Sequence, residues 1–141
     1  MSSLGKDTKD VVGVICLDKQ GKLLLVQGAG GKWSFPKGRR KEKETPHEGA
    51  LREAKEEAGI DLSDEKSFLS MGLRFGTYFW YYFDTNGDTI PLAASATSDE
   101  ILQTAWISPH SDEFAHQEKN ADLRAYLLES NPKRKHSSKY C

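Results

Sequence analysis

The sequence predicts an α/β fold, a mixed sheet with helices on both faces. Three observations predict it. Two apolar runs, Val11 to Leu17 and Leu23 to Gln27, flank the turn Asp18-Lys19-Gln20-Gly21 and read as a β-hairpin. A helix with explicit start and stop signals lies between Thr45 and Gly59. More strand-like runs and a second helical stretch follow, so the order is strand, strand, helix, strands, helix. By length the 141 residues make one domain, spanning 1–141, with flexible tails expected at 1–9 and 131–141.

After the hairpin, Gly28-Ala29-Gly30-Gly31 fits neither the GxGxxG nor the P-loop pattern and reads as a flexible loop. Trp33-Ser34-Phe35 reads as a short strand, and Pro36 fixes the backbone ahead of Lys37-Gly38. In the central helix Thr45 fits the N-cap, Pro46 the first helical position, and Glu48 the capping box. Gly59 fits the left-handed position after the last turn. His47, Leu51, Ala54 and Ala58 recur at spacings of three and four and form an apolar face.

Beyond the helix, Asp61 to Lys66 is a polar loop. Phe68 to Phe75 and Tyr78 to Asp84 read as strands separated by Gly76-Thr77, and Asn86-Gly87 signals a second hairpin. Among the aromatics from Tyr78 to Phe83, alternate residues face opposite sides. One set fills the core; the other covers the sheet or stacks on a base. Thr89 to Asp99 is rich in small polar residues and reads as a mobile loop. Ile101 to Ile107 is a strand, and Phe114 to Glu118 and Ala121 to Leu128 are helical pieces. No internal repeat is visible.

A net charge of -1 points to no partner by itself, but the cations are clustered. Lys37, Arg39, Arg40, Lys41 and Lys43 form one group and Lys133-Arg134-Lys135 another. Such runs serve anionic substrates or simply keep a loop solvated; the second also fits a nuclear signal. Two cysteines, Cys16 and Cys141, make no disulfide framework. No apolar signal core or membrane span is present in the sequence. A reduced, cytoplasmic setting fits, with the nucleus as the alternative.

The chemistry concentrates between Gly38 and Ile60. Glu53, Glu56 and Glu57 spread over about 100° of one helical face. Carboxylates this close repel one another. They become favourable around a hard divalent cation, which prefers carboxylate oxygens. Gly49, one turn before Glu53, costs about 1 kcal/mol relative to alanine inside a helix. It either leaves room for a metal or phosphate or packs closely against a neighbour.

The spacing Gly38, Glu44, Arg52-Glu53-Ala54-Lys55-Glu56-Glu57-Ala58-Gly59-Ile60 matches G-x5-E-x7-R-E-U-x-E-E-x-G-U at every fixed position, with Ala54 a small occupant of U. This is the Nudix box, and the chain resembles a Nudix hydrolase. The W-x-F-P-x-G approach at Trp33 to Gly38 and the late Trp106-Ile107 extend the resemblance. It implies a Nudix-type α/β/α sandwich and water attack on a diphosphate linkage, assisted by Mg²⁺ or Mn²⁺. It implies metal ligands in the Gly38 carbonyl, Glu53, Glu56 and Glu57. Glu53 or Glu56 is the expected general base, with Arg52 orienting a box glutamate. Glu44 or Glu100, beside Asp99, is a candidate for one more acid. Lys37, Arg39 and Arg40 are candidates for substrate phosphates.

The expected substrate is a small-molecule polyphosphate, either a dinucleoside polyphosphate or a diphosphoinositol polyphosphate. RNA is the partner if the enzyme is of the decapping or RNA-end type, and oxidised nucleotides are a third alternative. A catalytically inactive nucleotide-binding module ranks last, because every box acid is kept. No membrane or obligate protein partner is indicated.

Overall fold

A computed structural model describes residues 10–67, 69–93 and 100–130. In chain order they form β1 (Val11–Leu17), β2 (Leu23–Gly28), β3 (Trp33–Ser34), β4 (Lys37–Arg39) and α1 (Pro46–Ala58). Then come β5 (Ser70–Gly72), β6 (Gly76–Tyr82), a 3-10 turn at Gly87–Thr89, β7 (Ile101–Ile107), α2 (Asp112–Ala115) and α3 (Ala121–Ser130). The strands make one sheet in the order β3-β2-β1-β6-β5, with β4 paired to β1 and β7 to β2. β1 and β6 run parallel and the other pairs antiparallel, so the sheet is mixed as expected.

Both faces of the sheet are covered. Val12, Val14 and Cys16 of β1 face α1 and pack with Ala50, Ala54 and Ala58. Ile15 points to the other side and joins Phe35, Tyr78, Phe114, Leu123 and Tyr126. A strand buried on both faces reads as a continuous apolar run, which is why 11–17 shows no alternation. The aromatics of β6 follow the same rule. Tyr78 and Trp80 enter one layer, Phe79 and Tyr81 the other, so both sets serve the core. On α1 the buried stripe is Ala50, Ala54 and Ala58, with His47 and Leu51 at its border. Small side chains there let the helix lie close to β1. No described helix is long and apolar enough to cross a membrane.

Three local expectations are corrected. Gly76 and Thr77 open β6 instead of separating two strands, and the strand before them shrinks to three residues. The reversal falls at 73–76, where the Leu73 N–H donates to the Gly76 carbonyl and the Phe75 N–H to the buried carboxylate of Asp122. Asn86-Gly87 makes no hairpin. β6 already has β1 on one edge and β5 on the other, so the next strand crosses to β2. Gly87 instead donates its N–H to Asp18 Oδ2 at 2.7 Å, and its bare Cα lies against the Trp106 ring. The first C-terminal helical piece is the single turn α2, starting before Phe114 because the Ser111 side chain caps it. The expected tails 1–9 and 131–141, with Lys133 to Lys135 and Cys141, lie outside the described residues, as do Phe68 and 94–99 with Asp99.

Asp18 is almost wholly buried and accepts from the N–H groups of Gln20, Lys22 and Gly87. It ties the first hairpin to the chain beyond β6. Asp18→Ala leaves these donors without their acceptor, and an unsatisfied buried group costs about 1–3 kcal/mol. We expect urea denaturation to show a stability loss of about 3 kcal/mol on that basis. A loss below about 0.5 kcal/mol would show that water replaces the clamp.

Candidate active site

Two elements build the site. The capping box forms as expected: Thr45 Oγ1 accepts from the Glu48 N–H and Glu48 Oε1 from the Thr45 N–H. Gly59, at φ 71, closes the helix and donates its N–H to the Lys55 carbonyl. These caps fix the two ends of α1, and the buried Ala50, Ala54 and Ala58 stripe sets its rotation on β1. β4 pairs with the same strand, Lys37 opposite Gly13 and Gly38 opposite Val12, which brings Gly38 to the acidic side of α1. The Glu53 carboxylate sits directly against the Gly38 Cα, in space that any Cβ would fill.

Arg52 is the hub of the box. Its Nε and Nη2 donate to the two oxygens of Glu44 at 2.6 and 3.0 Å. Nη1 donates to Glu53 Oε2 at 3.1 Å and Glu56 Oε1 at 3.0 Å. Nη2 also reaches the Arg39 carbonyl. The bidentate bond to Arg52 holds the Glu44 carboxyl down at about 2, and the three carboxylates raise the guanidinium. Glu53 is nearly buried; desolvation pushes its carboxyl up, against the pull of Arg52. Glu57, one helical turn on from Glu53, accepts the Lys37 N–H at 3.1 Å. Burial raises its carboxyl to about 7 in spite of that bond.

The glycine question on α1 is decided by its neighbours. A Cβ on Gly49 would stand 3.1 Å from Glu44 Oε1, 3.1 Å from Val12 and 3.3 Å from the Arg40 side chain. The bare backbone makes room for those groups, and not for a ligand. Arg40 is held in the loop by donating from Nη1 to the Glu44 carbonyl at 2.8 Å. Arg39 is solvent-exposed beside Asp10.

Lys37 and Glu57 open onto a cleft of about 320 Å³. Its other polar lining is Lys32, Ser34, Glu100 and Asn120, and Gly28, Ala29 and Ile101 form an apolar wall. Lys37 and Glu100 are therefore together with a box glutamate, while Arg39 and Arg40 do not line the cleft. Lys32, Ser34 and Asn120 escaped the sequence reading. The one available signal was the glycine run ahead of Lys32, which matches no phosphate-loop pattern. Asn120 comes to the cleft because its backbone N–H bonds the Trp33 carbonyl, a contact across most of the chain.

Among the described residues, no three acidic or histidine side chains close on one point as a metal cage. Two do converge on a cation: Glu53 and Glu56 share the single Arg52 Nη1. With the Gly38 backbone against Glu53 and Glu57 on the next turn face, the donors are hard oxygens suited to Mg²⁺ or Mn²⁺. The residues thus fit the ion in donor type and neighbourhood.

The NUDIX domain family model matches residues 7–128. The 8-oxo-dGDP phosphatase NUDT18 of Danio rerio is 33% identical over 110 residues, covering 74% of this chain and 33% of that protein. The RNA pyrophosphohydrolase of Hydrogenovibrio crunogenus is 46% identical over 57 residues, 38% of this chain and 33% of that one. The chain thus spans about a third of the length of these curated relatives. Among solved structures, RenU, a Nudix hydrolase from M. smegmatis, superposes with a TM-score of 0.64 at 17% identity, covering 93% of this chain and 87% of that one. That likeness concerns the fold. Family match, fold and unbroken box agree, and the chain belongs to the Nudix family of hydrolases.

Proposed function

We propose that this chain is a divalent-metal-dependent pyrophosphohydrolase. The observation that carries the reading is the convergence of Glu53 and Glu56 on one cationic nitrogen, beside Gly38 and Glu57. Glu53, Glu56, Glu57 and the Gly38 carbonyl would hold Mg²⁺ or Mn²⁺. Such an ion, when bound, neutralises phosphate charge and makes water more acidic. The chain's own residues do the rest. Glu53 or Glu56 takes the proton as the water oxygen bonds to phosphorus and the bond to the leaving phosphate oxygen breaks. Arg52 orients both carboxylates, and Glu44 anchors Arg52 from behind. Lys37 offers its ammonium to a phosphate at the mouth of the cleft, and Glu100 is the candidate for an additional acid.

The substrate we propose is a soluble polyphosphate, a dinucleoside polyphosphate or a diphosphoinositol polyphosphate. Two other readings have support in the relatives: RNA, from the RNA pyrophosphohydrolase, and an oxidised nucleotide, from the 8-oxo-dGDP phosphatase. The setting we propose is cytoplasmic, with no membrane partner. The deciding assay measures product release across all of these substrates, with Mg²⁺ or Mn²⁺ and with EDTA. Turnover is expected on at least one class, and exhaustive EDTA treatment is expected to abolish it. Activity that survives metal removal would overturn the mechanism.

A further inference from the structure

Lys32 stands at the end of the loop between β2 and β3 and lines the same cleft as Lys37 and Glu57. The loop is rich in glycine yet tightly braced. The Gly28 N–H donates to the Lys32 carbonyl, the Gly31 N–H to the Gly28 carbonyl, and Gln27 Nε2 to the Gly31 carbonyl. Gly31 sits at φ 96, a conformation that glycine adopts without strain. The Ala29 N–H bonds the Glu100 carbonyl and ties the loop to β7. Lys32 therefore starts from an anchored backbone.

The cleft is rich in donors. Among the described residues neither ammonium group, of Lys32 or of Lys37, makes a hydrogen bond or short ion pair, though Lys37 is near enough to Glu57 to draw its carboxyl down. Asn120 uses its side-chain oxygen to cap the Leu123 N–H, so its amide protons are the part left for a ligand. Glu57 and Glu100 oppose an anion there, but a cation at the box removes the objection on the Glu57 side. About 320 Å³ is at the small end of ligand sites, room for a few phosphate groups.

We propose that Lys32, with Lys37, binds the phosphates of the substrate that lie beyond the cleaved linkage, and so sets a preference for long phosphate chains. This rests on the hydrolase reading of the same site. Lys32 is a binding residue with no part in proton transfer.

The test uses methylene-bridged analogues of diphosphate and tripolyphosphate, which resist hydrolysis, bound to the intact chain with excess MgCl₂ in a calorimeter. Loss of one charge-assisted contact is expected to weaken the long probe about tenfold in Lys32→Gln. The short probe is expected to change less than about twofold, and Lys32→Arg to recover most of the loss. Lys32 is exposed, so the melting temperature serves as a control for folding. Equal weakening of both probes, or of neither, overturns the proposal. A selective loss in a protein that hydrolyses no phosphoric anhydride would keep the anion site and reject the hydrolase reading. Hydrolysis with binding indifferent to Lys32 would do the reverse.

Discussion

Glu57→Gln is expected to lower turnover by about 10²–10³-fold, the range for losing one preorganised electrostatic group. It is also expected to raise the melting temperature of the metal-free protein at pH 8. Glutamine keeps the volume and still accepts the Lys37 N–H. It removes a buried charge that repels Glu53. The pH dependence has a definite sign. The carboxyl lies at about 7 in the folded chain, against an ordinary value of 4.5. Below about 4.5 both states hold the proton and burial carries no penalty. As pH rises from there to about 7 the unfolded chain ionises first, so folding stability falls. The glutamine variant lacks this fall. The gap in melting temperature should therefore be small at pH 4.5, open towards pH 7 and stay open above it. Mg²⁺ should narrow it by stabilising the wild type more than the variant, which lacks one of the carboxylates. Near-normal turnover in a folded variant, or a gap that ignores pH, would remove Glu57 from the site.

Gly38→Ala is expected to be nearly as damaging, though it deletes no functional group. Its Cβ would occupy the place of the Glu53 carboxylate, which is nearly buried and held by Arg52. One of them must move. Overpacking of this kind costs about 1–3 kcal/mol. A shift of about 1 Å at a reacting group can cost about 10²-fold in rate. Gly30→Ala is the control, because nothing lies within 4 Å of a Cβ at that position. Its stability and turnover are expected to stay near wild type. If Gly38→Ala kept wild-type turnover, the contact between Gly38 and Glu53 would be incidental.

Much of this was legible in the sequence because it is local. The capping box at Thr45 and Glu48, the left-handed Gly59 and the hairpin from Val11 to Gln27 each depend on residues a few positions apart. The pattern from Gly38 to Ile60 alone pointed to the family, since a helix turns its acids to one side whatever it packs on. What failed was the pairing of strands. Asn86-Gly87 carries a hairpin signal, but β6 had no free edge, and only the finished sheet shows that.

The sequence by itself determined the helix, its ends, the order of its acids and the family that uses such an order. The tertiary structure decided what each charge meets. It placed Arg52 among Glu44, Glu53 and Glu56, turned Glu57 towards Lys37, and set the Arg40 side chain in the loop rather than the cleft. It also brought Lys32 and Asn120 to one cleft from opposite ends of the chain. The physical reason is range. Caps and helical periodicity act over a few residues, whereas burial and charge pairing depend on which distant backbone segments the sheet lays side by side.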